Sequence, residues 1–305
     1  MSLINLSIII PVFNSDKSLI KLTEQIKKLK LKNYEIIFVD DHSKNYNTKK
    51  TLLQLSEQNK KLIKSIFLSK NFGRTKALLT GLEYATGKYF IIMDDDLQHN
   101  PKHIINFMKF KSHDIVMANY KRKKNYIDNF FSYLKYLLDK NTFNTSVRIS
   151  SYFLINKYVR NNIVNTNQVN PYLPGLLFSI SNDFKILNIE LENRKFGESN
   201  YNFFKKLKII KDVFLNHSRL PYKVFFLIGF LSLFFSASFI VSVFIKYFNY
   251  TVMPGWSSII SIIILFGSIN MILLSFIGYF VFVKTNNNYI SSKAKVRHTI
   301  NVKKK

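Results

Sequence analysis

The sequence predicts an α/β domain built on a largely parallel sheet, followed by two helices that cross a membrane. Three observations predict it. Short apolar runs alternate with amphipathic stretches through the first part of the chain, the strand–helix rhythm of a sheet covered on both faces. Acidic residues gather at the ends of two of those runs, as Asp40-Asp41 and Asp94-Asp95-Asp96. Finally, Val224–Ile245 and the stretch between Lys246 and Lys284 carry no charge, and each exceeds the roughly 18 apolar residues that suggest a bilayer span. A buried helix of a soluble protein explains one such run but not two in tandem.

The elements follow in order. Leu6–Val12 (LSIIIPV) reads as a buried first strand, and Leu19, Leu22, Ile26 and Leu29 recur at helical spacing over Leu19–Leu31. Glu35–Val39 is the second strand, Thr48–Leu62 a helix and Ser65–Leu68 the third strand. Thr75–Ala85 is a helix stopped by Gly87, in the manner of a C-terminal glycine. Tyr89–Met93 is the fourth strand, Pro101–Phe110 a helix and Asp114–Ala118 a further strand. Leu176–Ile180 and Lys185–Leu191 read as two later strands. The stripe of Phe130, Phe131, Tyr133, Leu134, Leu137 and Leu138 suits either a core helix or one lying on the membrane. Asn202–Asn216 is amphipathic, with lysines largely opposite Phe203, Phe204, Leu207, Ile210 and Phe214, as in an interfacial helix or an ordinary surface one. The expected organisation is a catalytic domain over 1–200, a juxtamembrane helix over 201–223 and a two-helix hairpin with a basic tail over 224–305.

The formal charge of +27 suits either nucleic acid or anionic lipid. The lysines are scattered and no nucleic-acid module is recognisable, so with two spans present the lipid reading is preferred and no nucleic-acid partner is expected. The absence of cysteine excludes disulfides and thiolate metal sites. No cleavable signal is expected, because the first apolar run is short and leads straight into a turn. Arg219 and Lys223 precede the first span, and Lys284, Lys293, Lys295, Arg297 and Lys303–Lys305 follow the second, whereas the hairpin around Asn249–Trp256 is uncharged. That asymmetry predicts both termini and the catalytic domain on the cytoplasmic side of the plasma membrane, with Tyr247 and Trp256 at the far interface.

In an open α/β sheet, ligands bind beyond the carboxyl ends of the strands. Asp94-x-Asp96 at such an end suits a hard divalent cation that shares phosphate oxygens, and Asp40 or Asp41 suits a base or ribose. A single strand-end acid is commonly a cap or turn former; two sets on neighbouring strands favour a site.

IIPVFN (Ile9–Asn14), EIIFVDDHS (Glu35–Ser43) and LSKNFGRTKALLTGLEYATGKYFIIMDDDLQHNP (Leu68–Pro101) together resemble family 2 glycosyltransferases of the GT-A fold. NFG, a helix and then DxDLQ are similar to the polyprenyl-phosphate glycosyltransferase subgroup, which includes dolichol-phosphate mannose synthase and bactoprenol glucosyl transferases. RKFGESNY (Arg194–Tyr201) resembles that subgroup's R-x-x-G-x-[ST]-K-Y element, and a two-span tail with PGWSS (Pro254–Ser258) resembles its bacterial members.

The resemblance implies an inverting transfer of one sugar from a UDP- or GDP-sugar to a polyprenyl phosphate. By it, Pro11 and the Asn14 turn line the nucleotide pocket, Asp41 holds the nucleoside, and Asp94 and Asp96 hold Mg²⁺ or Mn²⁺, with Asp40 and Asp95 in the donor-binding set. Gln98 lies near the donor sugar, Arg148 acts on the phosphates, and Arg194, Ser199 and Tyr201 bind phosphate beside the membrane. Three positions depart from the subgroup: Ser146 where Asp is common, Pro174 where Arg precedes Gly-Leu, and Asn200 in place of Lys. Two alternatives remain. One is transfer to a sugar hydroxyl, although the Gln-x-x-Arg-Trp element of processive synthases is absent; the other is a basic membrane protein without catalysis. His42 and His99 have no metal-ligand spacing and are read as loop residues. A homo-oligomer is left open.

Overall fold

The computed structural model describes residues 5–120, 133, 136–137, 140, 150–165, 173–190, 220–249, 255–287 and 295–302. The chain divides into two compact units, one of Met1–Phe203 with Ile290–Lys305 and one of Phe204–Tyr289.

The first unit holds β1 (Leu6–Val12), α1 (Lys17–Lys28), β2 (Tyr34–Asp40), α2 (Tyr46–Gln58), β3 (Ile63–Leu68), α3 (Arg74–Tyr84), β4 (Tyr89–Ile92), α4 (His103–Lys109) and β5 (Ile115–Tyr120). It continues with β6 (Phe153–Asn156), α5 (Lys157–Val164), α6 (Leu173–Ile180) and β7 (Phe184–Ile189), and ends in β8 (Val296–Ile300). These strands form one sheet in the order β7-β5-β6-β4-β1-β2-β3-β8. The central β4-β1-β2-β3 ladders are parallel, whereas β6 runs antiparallel to β4 and β5, and β8 antiparallel to β3. The sheet is therefore mixed.

Both faces are covered. Ile8, Ile10 and Val12 of β1 join Leu19, Leu22, Ile26, Leu52, Ile104 and Phe107 in one core layer. Ile9 points the other way, to Ala77, Leu78, Leu82, Val159 and Leu177. This alternation explains why β1 reads as an unbroken apolar run: each successive side chain meets a helical layer. Burying one such Leu or Ile stabilises the fold by about 1.5–3 kcal/mol. Helix α3 lies especially close, since a Cβ on Gly81 would stand 2.5 Å from Ile9 Cγ2 and 3.0 Å from Val39 Cγ2.

Three sequence expectations change. The run predicted as a strand over Leu176–Ile180 belongs to helix α6. An apolar stretch without polar alternation carries no readable period, and Pro174 is tolerated in a first helical turn. Helix α3 ends at Tyr84, and Gly87 does not cap it in a left-handed conformation. Gly87 instead passes against β1, where an added Cβ would lie 2.7 Å from Ser7 Oγ. The segment after the second apolar helix, read as a tail, supplies edge strand β8. The stripe around 129–138, apart from isolated positions, and the amphipathic 202–216 stretch lie outside the described residues.

The second unit is a hairpin of α7 (Leu220–Asn249) and α8 (Trp256–Asn287). Pro221–Phe248 and Ser257–Phe282 are long and apolar enough to cross a membrane. Only 11% and 17% of their most apolar windows are buried, unlike the core helix of a soluble protein. Small residues line the seam between them: Ser232 and Ser268 share a hydrogen bond of 2.7 Å, and Gly229 packs on Met271 and Ile272. Such residues let apolar helices approach closely where lipid offers no hydrophobic drive.

Candidate active site

The carboxyl ends of β1, β2 and β4 lead into loops that each hold a non-glycine residue in the left-handed region: Asn14 (φ 55°), His42 (φ 61°) and Leu97 (φ 60°). Each such residue costs of order 1–3 kcal/mol and persists only where its surroundings impose it. Leu97 is held because its side chain, 2% exposed, is locked into the core.

The β1 and β2 loops are stitched together. Asn14 Oδ1 accepts the amides of Lys44 at 2.9 Å and Asn45 at 3.3 Å, and the Asn14 amide donates to Ser43 Oγ at 2.8 Å. Ser43 Oγ donates in turn to Asp40 Oδ1 at 2.5 Å, and its amide reaches the same oxygen at 3.1 Å. Burial pushes the Asp40 carboxyl above its ordinary range, against the pull of Ser43. Pro11 is buried in β1 opposite Val39. Asp41 turns to the next loop, where its two oxygens accept the amides of Phe72 and Gly73 at 2.7 and 2.8 Å. The NFG triplet is thus the turn that Asp41 clamps.

The β4 loop carries the acidic triplet. Asp94 Oδ1 accepts from Arg74 Nε at 2.7 Å and lies 2.6 Å from Nη2, while Nη2 also donates to the Ser151 carbonyl at 3.3 Å. Burial alone would raise the Asp94 carboxyl, but Arg74, by its charge and its hydrogen bond, holds it below the ordinary range. Asp95 is pushed up to about 7, chiefly by burial, with the charges of Asp94 and Asp96 adding to it. Its Oδ2 is buried without a hydrogen-bond partner among the described residues. Asp96 Oδ1 accepts the Gln98 amide at 3.1 Å.

His99 is 4% exposed and stacks on Tyr152 at 4.9 Å and Tyr120 at 5.8 Å between ring centroids. Its Nδ1 accepts the Asp94 amide at 2.9 Å, so the neutral ring carries its proton on Nε2, which lies 3.3 Å from Ser151 Oγ. It is a loop residue, as the sequence suggests, and within that loop a buried support of the acidic turn. Arg74, His99, Ser151 and Tyr152 escape the sequence reading, and the position of Arg74 directly after NFG is the one local signal.

Does a divalent cation suit this triplet? The donors are hard carboxylate oxygens, and the orphaned Asp95 oxygen leaves acceptor capacity beside them. Among the described residues no three acidic, His or Cys side chains converge as a complete ligand set. The residues therefore fit a cation that takes its remaining ligands from a bound diphosphate and water, as Mg²⁺ commonly does. Arg148, Arg194, Ser199 and Tyr201, with Ser146 and Asn200, lie outside the described residues; Pro174 is in the first turn of α6.

The model of the family described as "Glycosyl transferase family 2" matches residues 7–170, more than half of the chain. The chain belongs to glycosyl transferase family 2. It is 29% identical over 291 residues to the uncharacterized glycosyltransferase sll0501 of Synechocystis sp., covering 91% of this chain and 90% of that one. It is 28% identical over 245 residues to undecaprenyl-phosphate 4-deoxy-4-formamido-L-arabinose transferase of Pectobacterium atrosepticum, covering 74% and 71%. Its fold is similar to that of glucosyl-3-phosphoglycerate synthase from Mycobacterium tuberculosis, solved with Mn²⁺, UDP and glucosyl-3-phosphoglycerate. There the TM-score is 0.51 at 12% identity, over 69% of this chain and 77% of that one. The first unit is accordingly a GT-A domain, and the protein is a glycosyltransferase.

Proposed function

We propose that this glycosyltransferase moves one sugar from a UDP- or GDP-sugar to a polyprenyl phosphate, with inversion, at the cytoplasmic membrane face. One observation carries the reading: a strand-end acidic site and a hairpin of two exposed apolar helices belong to one chain. The Pectobacterium relative, whose name specifies undecaprenyl phosphate, supports the choice of acceptor.

Strand β8 supports a chain that crosses the membrane and comes back. The chain leaves the GT-A unit before the hairpin and returns to it as a strand paired with β3. On this proposal the chain crosses the membrane twice, and the Lys and Arg residues that flank the two apolar runs favour the cytoplasmic side for both ends.

A phosphate acceptor suits this site chemically. A sugar hydroxyl is neutral until transfer and needs a general base, whereas a phosphate monoester, with a second pKa of about 6, is already an anion. It attacks the anomeric carbon as the bond to the nucleoside diphosphate breaks, so the protein's tasks are positioning and charge neutralisation. Asp94 and Asp96 would hold Mg²⁺ or Mn²⁺, which when bound supplies positive charge to the departing diphosphate. The Asn14–Ser43–Asp40 network would shape the nucleoside side, Asp41 would act there through the turn it clamps, and Asp95 and Gln98 would border the donor. Arg148, Arg194, Ser199 and Tyr201 would offset the acceptor's phosphate charge.

The test incubates membranes holding the protein with polyprenyl phosphate and a panel of nucleotide sugars, identifying lipid products by mass. One sugar-lipid is expected, and Asp96→Ala abolishes it while leaving the protein in the membrane. Sugar found only in polymer would transfer the reading to a hydroxyl acceptor.

A further inference from the structure

We propose that Arg74 competes with the divalent cation for Asp94, which makes metal binding depend on the nucleoside diphosphate. This rests on the reading of Asp94 and Asp96 as metal ligands. Arg74 directs Nε and Nη2 at one oxygen, Asp94 Oδ1, at 2.7 and 2.6 Å. A cation that binds Asp94 takes an oxygen from this pair or shares it, at the cost of placing two positive groups side by side.

The geometry favours exchange over permanence. The pair is partly exposed, with side-chain exposures of 41% for Arg74 and 26% for Asp94, so water can reach the groups that an exchange frees. A guanidinium does not lose its proton in proteins, so pH does not relieve the competition. The backbone of Arg74, by contrast, is fixed. It follows Gly73, whose amide Asp41 holds, and α3 is seated on β1 and β2 through Gly81. Only the side chain has to move.

The ligand count works in the same direction. The triplet does not complete a cation's coordination shell, so a cation arriving alone meets few carboxylates and an arginine already on one of them. A diphosphate alters both terms. It adds oxygen ligands for the cation, and it offers the guanidinium an anion suited to bidentate contact. Donor and metal then bind with positive coupling, and Arg74 passes from carboxylate to phosphate.

The experiment is Mn²⁺ titration of the purified full-length protein in detergent, followed by the EPR signal of free Mn²⁺, with and without UDP and corrected for Mn²⁺ held by UDP itself. In the native protein UDP should tighten Mn²⁺ binding at least about fivefold, the lower end of typical coupling between two ligands. Arg74→Gln should tighten Mn²⁺ binding without UDP by a similar factor and shrink the UDP effect. Arg74→Ala carries the same test should the glutamine variant not fold. Nucleotide-free affinity unchanged or weakened in these variants overturns the proposal. Mn²⁺ binding that survives Asp94→Asn overturns the metal-ligand reading beneath it. Sugar-lipid synthesis is scored separately: the expected Mn²⁺ behaviour without a sugar-lipid product keeps the competition and discards the acceptor.

Discussion

Gly73 gives its amide to Asp41 Oδ2 at 2.8 Å, in the same clamp by which Phe72 donates to Oδ1. One carboxylate thereby joins the end of β2 to the turn ahead of α3. Gly73 adopts φ 89°, a conformation that glycine enters without steric cost. Burial raises the Asp41 carboxyl above its ordinary range even against these two hydrogen bonds.

Asp41→Asn should therefore act through the turn. One acceptor becomes an N–H₂ group facing a backbone N–H, at a cost of about 1–3 kcal/mol. A lower melting temperature should accompany a raised KM for the nucleotide sugar, because Arg74 loses its fixed base. Gly73→Ala meets open space but a strained φ, and should cost about 1–3 kcal/mol. A native melting temperature in Asp41→Asn would show that the clamp carries no stability.

Glu35 predicts an acid limb in stability. Its buried carboxylate accepts Ser7 Oγ at 2.6 Å and the Thr86 amide at 2.7 Å, and it pairs with Lys64. Burial pushes its pKa up, but Lys64, Ser7 and Thr86 together leave it below the ordinary value of 4.5. The folded state thus binds the proton more weakly than the unfolded state. The resulting stability is present above pH 4.5 and is lost as pH falls through the lowered pKa. Glu35→Gln should cost about 3 kcal/mol at pH 7, since Lys64 loses its partner, and should flatten the acid limb of a melting-temperature profile. An acid limb identical in mutant and native protein would assign it to other groups.

Gly81 predicts a packing limit on the site. A methyl group there overlaps Ile9 Cγ2, and β1 is fixed by ladders on both sides. Gly81→Ala should destabilise by about 1–3 kcal/mol despite alanine's better helix propensity. The displaced α3 should also weaken donor binding, measured as a higher KM. A stabilised Gly81→Ala protein would mean that α3 shifts freely.

The central strands were legible because each is buried on both faces and flanked by turns, so β1 and β2 stand out as apolar runs. Helix α6 was not, since LPGLLFSI has no polar residue to reveal its period. Strand β6 has only four residues, and β8 (VRHTI) gains its identity from β3, far earlier in the chain. The same divide runs through the site. Strand-end acids are visible as motifs, but Arg74 and Asp94 stand 20 residues apart and meet only because α3 and β4 return to one edge. His99 gives no local sign of its contacts with Tyr120 and Tyr152, which the antiparallel return of β6 brings near.

Strand β8 predicts that the chain beyond the hairpin belongs to the catalytic unit. It covers β3, Ser69 donates its amide to the Lys295 carbonyl at 2.9 Å, and the Asn301 side chain donates to the carbonyls of Ser56 at 2.7 Å and Ile63 at 2.9 Å. Removing residues 295–305 leaves β3 an open edge, a template for pairing between chains. The truncated protein should melt lower and aggregate in detergent by size-exclusion chromatography. Asn301→Ala removes only the two side-chain hydrogen bonds and should cost about 1–3 kcal/mol without aggregation. Because Ser69 leads into the turn that Asp41 holds, the truncation should also raise the donor KM more than Asn301→Ala does. A truncated protein that stays monodisperse with native melting and kinetics would show that β8 contributes nothing to the sheet.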